Sequence, residues 1–358
     1  MLGICKPWKP QQTGNLASPR ILKRLFPLRT AHRSHRLIPS PTGRGIPHAF
    51  MDLNPFRLCS GLKFLGYFMI LLLLALIAIS YDAVIVLTCV PHLVDGGFNT
   101  VLYLFVVTLF HVLLVLLTWS YFMVAFRDPG SVPANWGVLP AQDSKDENYN
   151  IPSNSFTDNV SPLSSEGIER ITVRYCNLCQ NAKPPRCHHC SACQRCVLKM
   201  DHHCIWVVNC VGACNYKFFL LFVLYSFMET GMDTIILLPG FINFFRQAGH
   251  HSSSPGRLAI TFLAFILNLA LALSLLCFVV MHVSLLLSNT TSVEWLFQVH
   301  EKKQAARWMY DLGWKKNIEQ VFGTRKALWL FPVFSKEDYE SVPALYGLDF
   351  PTCSVVNV

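Results

Sequence analysis

Charged residues are scarce in this chain, and that scarcity limits the class of protein it can form. Asp, Glu, Lys and Arg make up 14% of its 358 residues, whereas an average soluble protein has about one-quarter. Apolar residues make up 52% and are concentrated in long runs, which indicates a membrane protein rather than a soluble globular one. The formal charge of +9 does not indicate nucleic-acid binding, because the basic residues flank the apolar runs, where cytosolic anchoring accounts for them.

Four apolar runs are long enough to cross a bilayer, which takes about 20 residues of helix. Soluble amphipathic helices would interleave charged residues at helical spacing, and these runs do not. We therefore expect an all-α polytopic membrane protein with four transmembrane helices. The runs cover residues 64–90, 101–126, 218–245 and 258–288.

Basic residues are missing from residues 91–100, between the first two runs, and nearly missing between the last two. Only Arg246 and Arg257 lie between the third and fourth runs. By contrast, 11 basic residues precede the first run, 9 lie between the second and third, and 8 follow the fourth. The positive-inside rule then predicts that both termini and the middle segment are cytosolic.

Acidic residues are absent from residues 1–50, which are rich in Arg, Ser and Pro. A transit-type presequence, a disordered basic arm and an upstream extension of the reading frame all fit this composition, and we assign the segment no function. No internal repeat is evident along the chain. The predicted organisation is two transmembrane helices in 51–127, a linker in 128–169, a cysteine-rich domain in 170–217, two further helices in 218–288 and a cytosolic tail in 289–358.

Three acidic residues lie in or near the predicted helices. Asp82 and Asp233 fall near the non-cytosolic ends, where we expect interfacial, hydrated positions. Glu229 lies nearer the middle of its helix, and acids within a membrane often mark ion or proton paths. The sequence alone assigns Glu229 no role.

Cysteine and histidine are concentrated in one segment: residues 176–214 hold 9 of the 14 cysteines and 4 of the 13 histidines. A cytosolic segment keeps its thiols reduced, so metal binding or catalysis is favoured over disulfides. Pairs such as Cys176-x2-Cys179 suit zinc, which takes four thiolate or imidazole ligands. The overlapping run Cys187, Cys190, Cys193 and Cys196 supplies further ligands. Two closed sites need eight ligands, and spacing alone does not divide the candidates between two ions.

The tetrapeptide Asp201-His202-His203-Cys204 admits two interpretations from its chemistry. In the first, histidine removes the thiol proton of Cys204 and a carboxylate orients the imidazole, which makes Cys204 a nucleophile. In the second, both histidines and Cys204 bind zinc, and Asp201 orients one of these ligands by a hydrogen bond without binding the ion itself. Adjacent residues need not have convergent side chains, so both interpretations stay open at this point.

The pattern as a whole resembles the DHHC-type protein S-acyltransferases, or palmitoyltransferases. The resemblance covers residues 128 to about 323 and includes the first two helices by position. Its motifs are Cys176-x2-Cys179, Lys183-Pro184-x-Arg186, His189-Cys190-x2-Cys193-x2-Cys196, Asp201-His202-His203-Cys204, Trp206, Asn209-Cys210-Val211-Gly212, Asn215, Asp128-Pro129-Gly130, Thr291-Ser292-Val293-Glu294, Asn317 and Val321-Phe322-Gly323.

The resemblance implies a cytosolic domain with two structural zinc ions and a separate catalytic thiol. Cys204 is implied as the nucleophile, His202 as the general base and Asp201 as the residue that orients it. The implied ping-pong reaction passes a palmitoyl or similar long-chain group from acyl-CoA through Cys204 to cysteines of other proteins. The implied ligands are Cys176, Cys179, His189 and Cys196 for one ion, and Cys190, Cys193, His203 and Cys210 for the other.

The implied partners are acyl-CoA, the bilayer and protein substrates with membrane-proximal cysteines at the cytosolic face, and no nucleic acid. The implied compartment is an endomembrane, Golgi or endoplasmic reticulum, rather than the plasma membrane. Lys183, Arg186 and Lys199 are candidates to attract the CoA phosphates, with membrane anchoring as the alternative. Two other function classes compete: a membrane-anchored zinc ubiquitin ligase, whose usual ligand spacing is not seen, and a non-enzymatic channel or adaptor.

Four departures from the family pattern carry expectations of their own. Ile205 stands where most members have proline, which removes no reacting group. Ser292 replaces a threonine but keeps the hydroxyl, so its contact with Asp201 should survive. Residues 295–298 read as extra sequence before the tail. Cys187 is an additional thiol that we expect to be buried rather than bound to a third metal ion.

Overall fold

The computed structural model describes residues 59–97, 99–134, 136, 174–247, 255–300 and 308–353. The N-terminal extension at 1–50 and most of the expected linker, residues 137–169, lie outside this range. Within it, four helices are long and apolar enough to cross a membrane, spanning Leu65–Val94, Thr100–Phe126, Tyr216–Arg246 and Gly256–Leu287. They lie within a few residues of the four apolar runs, so the predicted fold class is confirmed.

The first span is not a uniform α-helix. Helix α1 (Cys59–Tyr81) passes into a π-helical stretch, Asp82–Cys89, and then into the short helix α2 (Val90–Val94). Ala83, Val84 and Cys89 are fully buried along this stretch. π-helical turns are rare and are frequently found at functional sites.

The other spans are α-helical throughout. Helix α3 covers Thr100–Phe126, α4 covers Tyr216–Gln247 and α5 covers Pro255–Leu287. Helix α4 packs against both α3 and α5. The buried core of the bundle is aromatic and aliphatic around Tyr216, Phe218, Phe219 and Phe222.

The cysteine-rich segment folds into three antiparallel β-hairpins. The first pairs β1 (Tyr175–Cys176) with β2 (Asn181–Ala182). The second pairs β3 (His188–Cys190) with β4 (Arg195–Val197), and the third pairs β5 (His202–Cys204) with β6 (Asn209–Val211). Such short strands bury little surface by themselves, so other contacts must hold the hairpins together.

Residues 128–131, at the start of the expected linker, belong to this hairpin domain. The amide of Leu198 donates to the carbonyl of Gly130 at 3.0 Å, and Ser131 pairs with Val197 as an isolated bridge. Asp128 binds Arg195 at 2.8 Å. The Asp128-Pro129-Gly130 motif therefore makes specific contacts with the hairpins.

Residues 292–300 and 308–353 form a tail that covers the hairpins and the start of α4. Helix α6 (Ser292–His300) runs through residues 295–298 without interruption, so these residues extend a helix rather than insert a loop. Helices α7 (Trp314–Phe322) and α8 (Lys336–Ser341) follow. The buried ammonium of Lys217 donates to the carbonyls of Leu328 at 2.9 Å and Val333 at 2.6 Å, which ties the tail to the third span.

Candidate active site and metal clusters

The three hairpins are copies of one unit, which the sequence analysis did not recognise. The first strand of each hairpin ends in a cysteine, and these cysteines follow one another at intervals of 14 residues: Cys176, Cys190 and Cys204. In each turn one residue that is not glycine has a positive φ: Gln180 in the first, Gln194 in the second and Val208 in the third. The signal was present in the sequence as a 14-residue period, but it is obscured because ligand positions are filled differently in each copy.

Each of two clusters combines ligands from two successive hairpins. The turn of the first hairpin supplies two cysteines, and the strands of the second supply a histidine and a cysteine. The turn of the second hairpin and the strands of the third repeat the arrangement. The resulting groups are Cys176, Cys179, His189 and Cys196, and Cys190, Cys193, His203 and Cys210, with all ligand atoms in a group within 4.8 Å of one another.

The spacing of these atoms fits a tetrahedral zinc ion. Bonds of about 2.0–2.3 Å to zinc place neighbouring ligand atoms about 3.3–3.8 Å apart. In the second cluster, His203 Nδ1 lies 3.8 Å from Cys190 Sγ, 3.4 Å from Cys193 Sγ and 3.5 Å from Cys210 Sγ. Thiolate and imidazole donors are the ones zinc prefers, so both clusters are compatible with structural zinc.

Cys204 lies outside both clusters, and the hairpin arrangement explains why. It occupies the position of Cys176 and Cys190, but the residue three positions further on is Val207 rather than a cysteine. The chain then enters α4, so no fourth hairpin follows to supply the remaining ligands. Cys204 therefore has the local geometry of a zinc ligand without the rest of a zinc site.

The turn stabilises the sulfur of Cys204 as it does the two ligand sulfurs. The backbone amides of Trp206 and Val207 donate to Cys204, as those of Leu178 and Cys179 do to Cys176. Amide donors favour the charged form of a sulfur. The third hairpin thus provides two amide donors to the sulfur of Cys204, although it has no second cysteine in its turn.

Asp201, His202 and Cys204 form a connected chain of hydrogen bonds. His202 Nδ1 lies 2.7 Å from Asp201 Oδ2, and the imidazole also bonds to Cys204. Burial alone would lower the pKa of His202, but the bonds to Asp201 and Cys204 raise it to about 9. Burial would raise the pKa of the Cys204 thiol, but the bond to His202 and its charge hold it below its ordinary value. Both shifts favour a thiolate–imidazolium pair.

Asp201 is buried, with 1% exposure, and its carboxylate accepts hydrogen bonds from the start of α6. The amide of Ser292 donates to Asp201 Oδ1 and its hydroxyl to Oδ2, both at 2.9 Å. The expected contact of Ser292 with Asp201 is therefore confirmed. Burial would raise the pKa of Asp201, but the bond to His202 keeps it below its ordinary value.

Arg186 and Lys199, considered above for CoA phosphates, are buried and already have partners. Arg186 makes a bidentate pair with Glu294 at 2.7 and 2.6 Å and donates to the Asn289 side chain at 3.1 Å. Lys199 donates to the same Asn289 oxygen at 3.2 Å. Tyr310 lies over the guanidinium at 4.6 Å. These two cations join the hairpin domain to α6 and the tail instead of facing solvent.

The third hairpin is fastened to the end of α3. The side-chain amide of Asn209 donates to the carbonyls of Val124, Ala125 and Arg127. Asn215 caps the connection into α4, accepting from the Gly212 amide at 2.9 Å. These bonds explain the asparagines of the motif, because they place Cys204 at the mouth of the helical bundle.

Cys204 lines a cavity of about 270 Å³ that extends between the spans. Trp206 and Phe219 lie near its mouth. The rings of Phe219 and His202 pack against each other there, with their centroids 5.0 Å apart. Leu73, Leu114, Leu117 and Leu271 are among the residues of the wall. The thiol of Cys204 thus borders a largely apolar space between the helices.

Comparison with known proteins assigns the family. The family model described as DHHC palmitoyltransferase matches residues 169–299, and a probable protein S-acyltransferase of Arabidopsis thaliana, number 12, is 55% identical over 85% of this chain and 100% of its own length. This chain belongs to the DHHC palmitoyltransferase family. A second Arabidopsis relative, number 14, is 49% identical over 84% of this chain and 95% of its own. The human palmitoyltransferase ZDHHC20 is 34% identical over 84% of this chain and 83% of its own.

The structure brings the expected site residues together as three groups, and it leaves two thiols of the segment, Cys187 and Cys214, outside them. The residues named for each zinc ion converge, and those named for catalysis form one hydrogen-bonded chain. Cys187 is fully buried and outside both clusters, as expected. Asp233 contradicts expectation: it is 1% exposed and lines the cavity instead of lying at a hydrated end. Glu229 and Asn268 line the same space, and no motif pointed to them.

Proposed function

We propose that this chain transfers a long-chain fatty acyl group, such as palmitoyl, from acyl-CoA to cysteine thiols of other proteins through an acyl-Cys204 intermediate. The activity follows from membership of the palmitoyltransferase family, and one observation carries the assignment of the nucleophile. Cys204 is hydrogen-bonded to His202, is outside both clusters and borders the apolar cavity.

The first half-reaction is attack of the Cys204 thiolate on the thioester carbonyl carbon of acyl-CoA. A new thioester forms on Cys204, the bond to the CoA sulfur breaks, and the CoA thiolate takes the proton from His202. Asp201 keeps the Nδ1–H of His202 oriented, so the other ring nitrogen faces the sulfur. The acyl chain enters the cavity, which excludes water from it, while the thioester remains at the cavity mouth.

The second half-reaction reverses these roles with a protein thiol. The substrate cysteine gives its proton to His202 and attacks the acyl-Cys204 carbonyl, and Cys204 leaves as a thiolate. The raised pKa of His202 suits it to take this proton and to hold it until the next acyl-CoA is attacked. Substrates would therefore present a cysteine close to the membrane surface, where the cavity opens.

The two clusters would hold structural zinc. Four protein ligands close each site, so zinc supplies rigidity here rather than an activated water. The ligands that would bind it are Cys176, Cys179, His189 and Cys196 in one site and Cys190, Cys193, His203 and Cys210 in the other. Closing the clusters would fix the third hairpin and, with it, the position of Cys204.

The topology and compartment belong to the same proposal. Both termini and the hairpin domain would be cytosolic, where acyl-CoA is available, and the membrane would be that of the Golgi or endoplasmic reticulum. Residues 51–127 and 218–288 would carry the spans, 170–217 the catalytic domain, and 1–50, 128–169 and 289–358 the remaining segments. A cysteine-reactive, membrane-impermeant reagent applied to sealed microsomes should modify added cysteines in both termini.

The decisive experiment is labelling of the purified full-length chain with radioactive palmitoyl-CoA. We expect label on Cys204, released by neutral hydroxylamine and absent in Cys204→Ser. Cys187→Ser is the matched control, since it removes a buried thiol of the same domain that has no assigned role. Label that persists in Cys204→Ser, or a wild-type protein that takes none while retaining its zinc, would refute the proposed function and favour a non-enzymatic adaptor.

A further inference from the structure

The far part of the cavity is polar, which an ordinary hydrocarbon chain does not require. Ser226, Glu229, Thr230 and Asp233 all line it from α4. Their spacing places them on one face of the helix, three or four residues apart. This face forms a continuous polar stripe directed into an otherwise aliphatic and aromatic space.

The carboxyl groups of this stripe have few hydrogen-bond partners. Glu229 is 6% exposed and Asp233 is 1% exposed. Neither side-chain oxygen of Glu229 has a hydrogen-bond partner among the residues that the structure describes, and Asp233 is within reach of one hydroxyl, that of Ser80. A polar group buried without a partner is costly, so the arrangement needs a ligand that supplies one.

Neighbouring polar groups are already occupied. Ser80 and Asn268 bond to each other across the first and fourth spans, with Asn268 Nδ2 donating to Ser80 Oγ at 2.9 Å. The hydroxyl of Thr230 donates to the carbonyl of Ser226 at 2.8 Å. The two carboxyl groups therefore remain available to a ligand.

A bound cation is the less suitable partner. The described residues contain two groups of side chains whose ligand atoms converge for a metal ion, and neither includes Glu229 or Asp233. An ionised carboxylate is also far more costly to bury than a neutral acid. A neutral carboxyl group both donates and accepts hydrogen bonds, which matches an alcohol.

The depth of the acids matches the reach of a long acyl chain. Phe219 and Cys204 line the same end of the cavity. On α4, Glu229 and Asp233 follow Phe219 after 10 and 14 residues. At 1.5 Å per residue they lie about 15 and 21 Å deeper. An extended hydrocarbon advances about 1.25 Å per carbon, given C–C bonds near 1.5 Å. A chain of about 12 to 17 carbons therefore ends beside them.

We propose that Glu229 and Asp233 form a subsite for a hydroxyl group at the far end of the acyl chain, so that the enzyme accepts ω-hydroxyacyl-CoA as an acyl donor. This inference rests on the proposed function. An ω-hydroxyl would exchange hydrogen bonds with the two carboxyl groups. A plain chain of the same length would displace water from them without replacing its bonds.

The test is competitive loading of Cys204 in the purified full-length chain, with equal palmitoyl-CoA and ω-hydroxypalmitoyl-CoA, read by intact mass spectrometry. Relative to Glu229→Leu/Asp233→Leu, wild type should load the hydroxylated chain about threefold to tenfold more, the value of one or two net hydrogen bonds. Glu229→Gln/Asp233→Asn keeps hydrogen-bonding groups and should retain part of the preference. Thr234→Val removes a hydroxyl of the same helix that lies outside the cavity lining and is bonded to the Thr230 carbonyl, so it should leave the ratio unchanged.

A shorter pair of donors separates recognition from folding. Decanoyl-CoA and ω-hydroxydecanoyl-CoA end short of Glu229, so wild type and all variants should load them at one common ratio. An identical palmitoyl ratio in wild type and the leucine double variant, with normal decanoyl loading, would overturn the subsite and leave the acyltransferase activity intact. Absence of any adduct on wild-type Cys204 would overturn both.

Discussion

The hydroxyl of Ser292 donates a 2.9 Å hydrogen bond to Asp201 Oδ2, the same oxygen that lies 2.7 Å from His202 Nδ1. Ser292 and Asp201 are 91 positions apart in the chain. The start of α6 therefore helps to fix the carboxylate that orients the proposed base. A residue outside the cysteine-rich segment thus takes part in positioning the proposed catalytic residues.

Ser292→Ala should slow acylation of Cys204 about tenfold, because a hydrogen bond to a charged group is worth about 1.5 kcal/mol or more and about 1.4 kcal/mol is tenfold in rate. The Ser292 amide still donates to Asp201, so loading should not be abolished. Ser292→Thr keeps the hydroxyl and serves as the control. The measurement is the initial rate of loading from palmitoyl-CoA, and equal rates for the alanine and threonine variants would contradict the role.

Loss of a single cluster ligand should remove one zinc ion. Cys179→Ser and Cys193→Ser each break one of the two clusters and should each lower the zinc content from about two ions to about one per chain. Cys187→Ser, fully buried but outside both clusters, should keep both. Metal content of purified protein is the measurement. Retention of two ions by either ligand variant would show that the clusters are assigned wrongly.

Val207→Cys should make the enzyme sensitive to added zinc. The substitution restores the Cys-x2-Cys pair in the third hairpin, where Cys204 already has the turn geometry of a ligand, and two thiols with His202 would bind zinc. Free zinc should then inhibit acylation at least tenfold, with reversal by a chelator. Val207→Ser supplies a matched polar control that should resist the same zinc concentration. If both variants respond alike, the equivalence of Cys204 to the ligand cysteines is wrong.

Two ion pairs of the hairpin domain should differ greatly in their effect on stability. Arg186–Glu294 is buried, with 1% and 7% of the side chains exposed, whereas Arg195–Asp128 is 37% and 54% exposed. Glu294→Gln leaves a buried charge unpaired and should cost about 3–5 kcal/mol. Arg195→Met should cost about 0–1 kcal/mol. Thermal unfolding followed by fluorescence should show a large decrease only for the first, and comparable decreases would refute the contrast.

The sequence by itself determined the class of protein and the chemistry of its segments. Apolar runs such as residues 101–126 predict spans because a bilayer demands about 20 apolar residues of helix. Pairs such as Cys176-x2-Cys179 predict zinc because a tight turn brings both sulfurs to one ion. Both signals are local, so no knowledge of distant contacts was needed. The identities of Cys204, His202 and Asp201 came from the family resemblance.

Tertiary structure alone decided how these local signals combine. Cys204 stands free because its hairpin is the last of three, and the buried pair of Arg186 with Glu294 joins residues 108 positions apart. Asp233, expected at a hydrated helix end, lines the cavity because α4 turns that face towards the first and fourth spans. Composition and spacing report what a residue is and who its near neighbours are. Which distant groups meet, and which remain unpaired in the apolar interior, depends on packing.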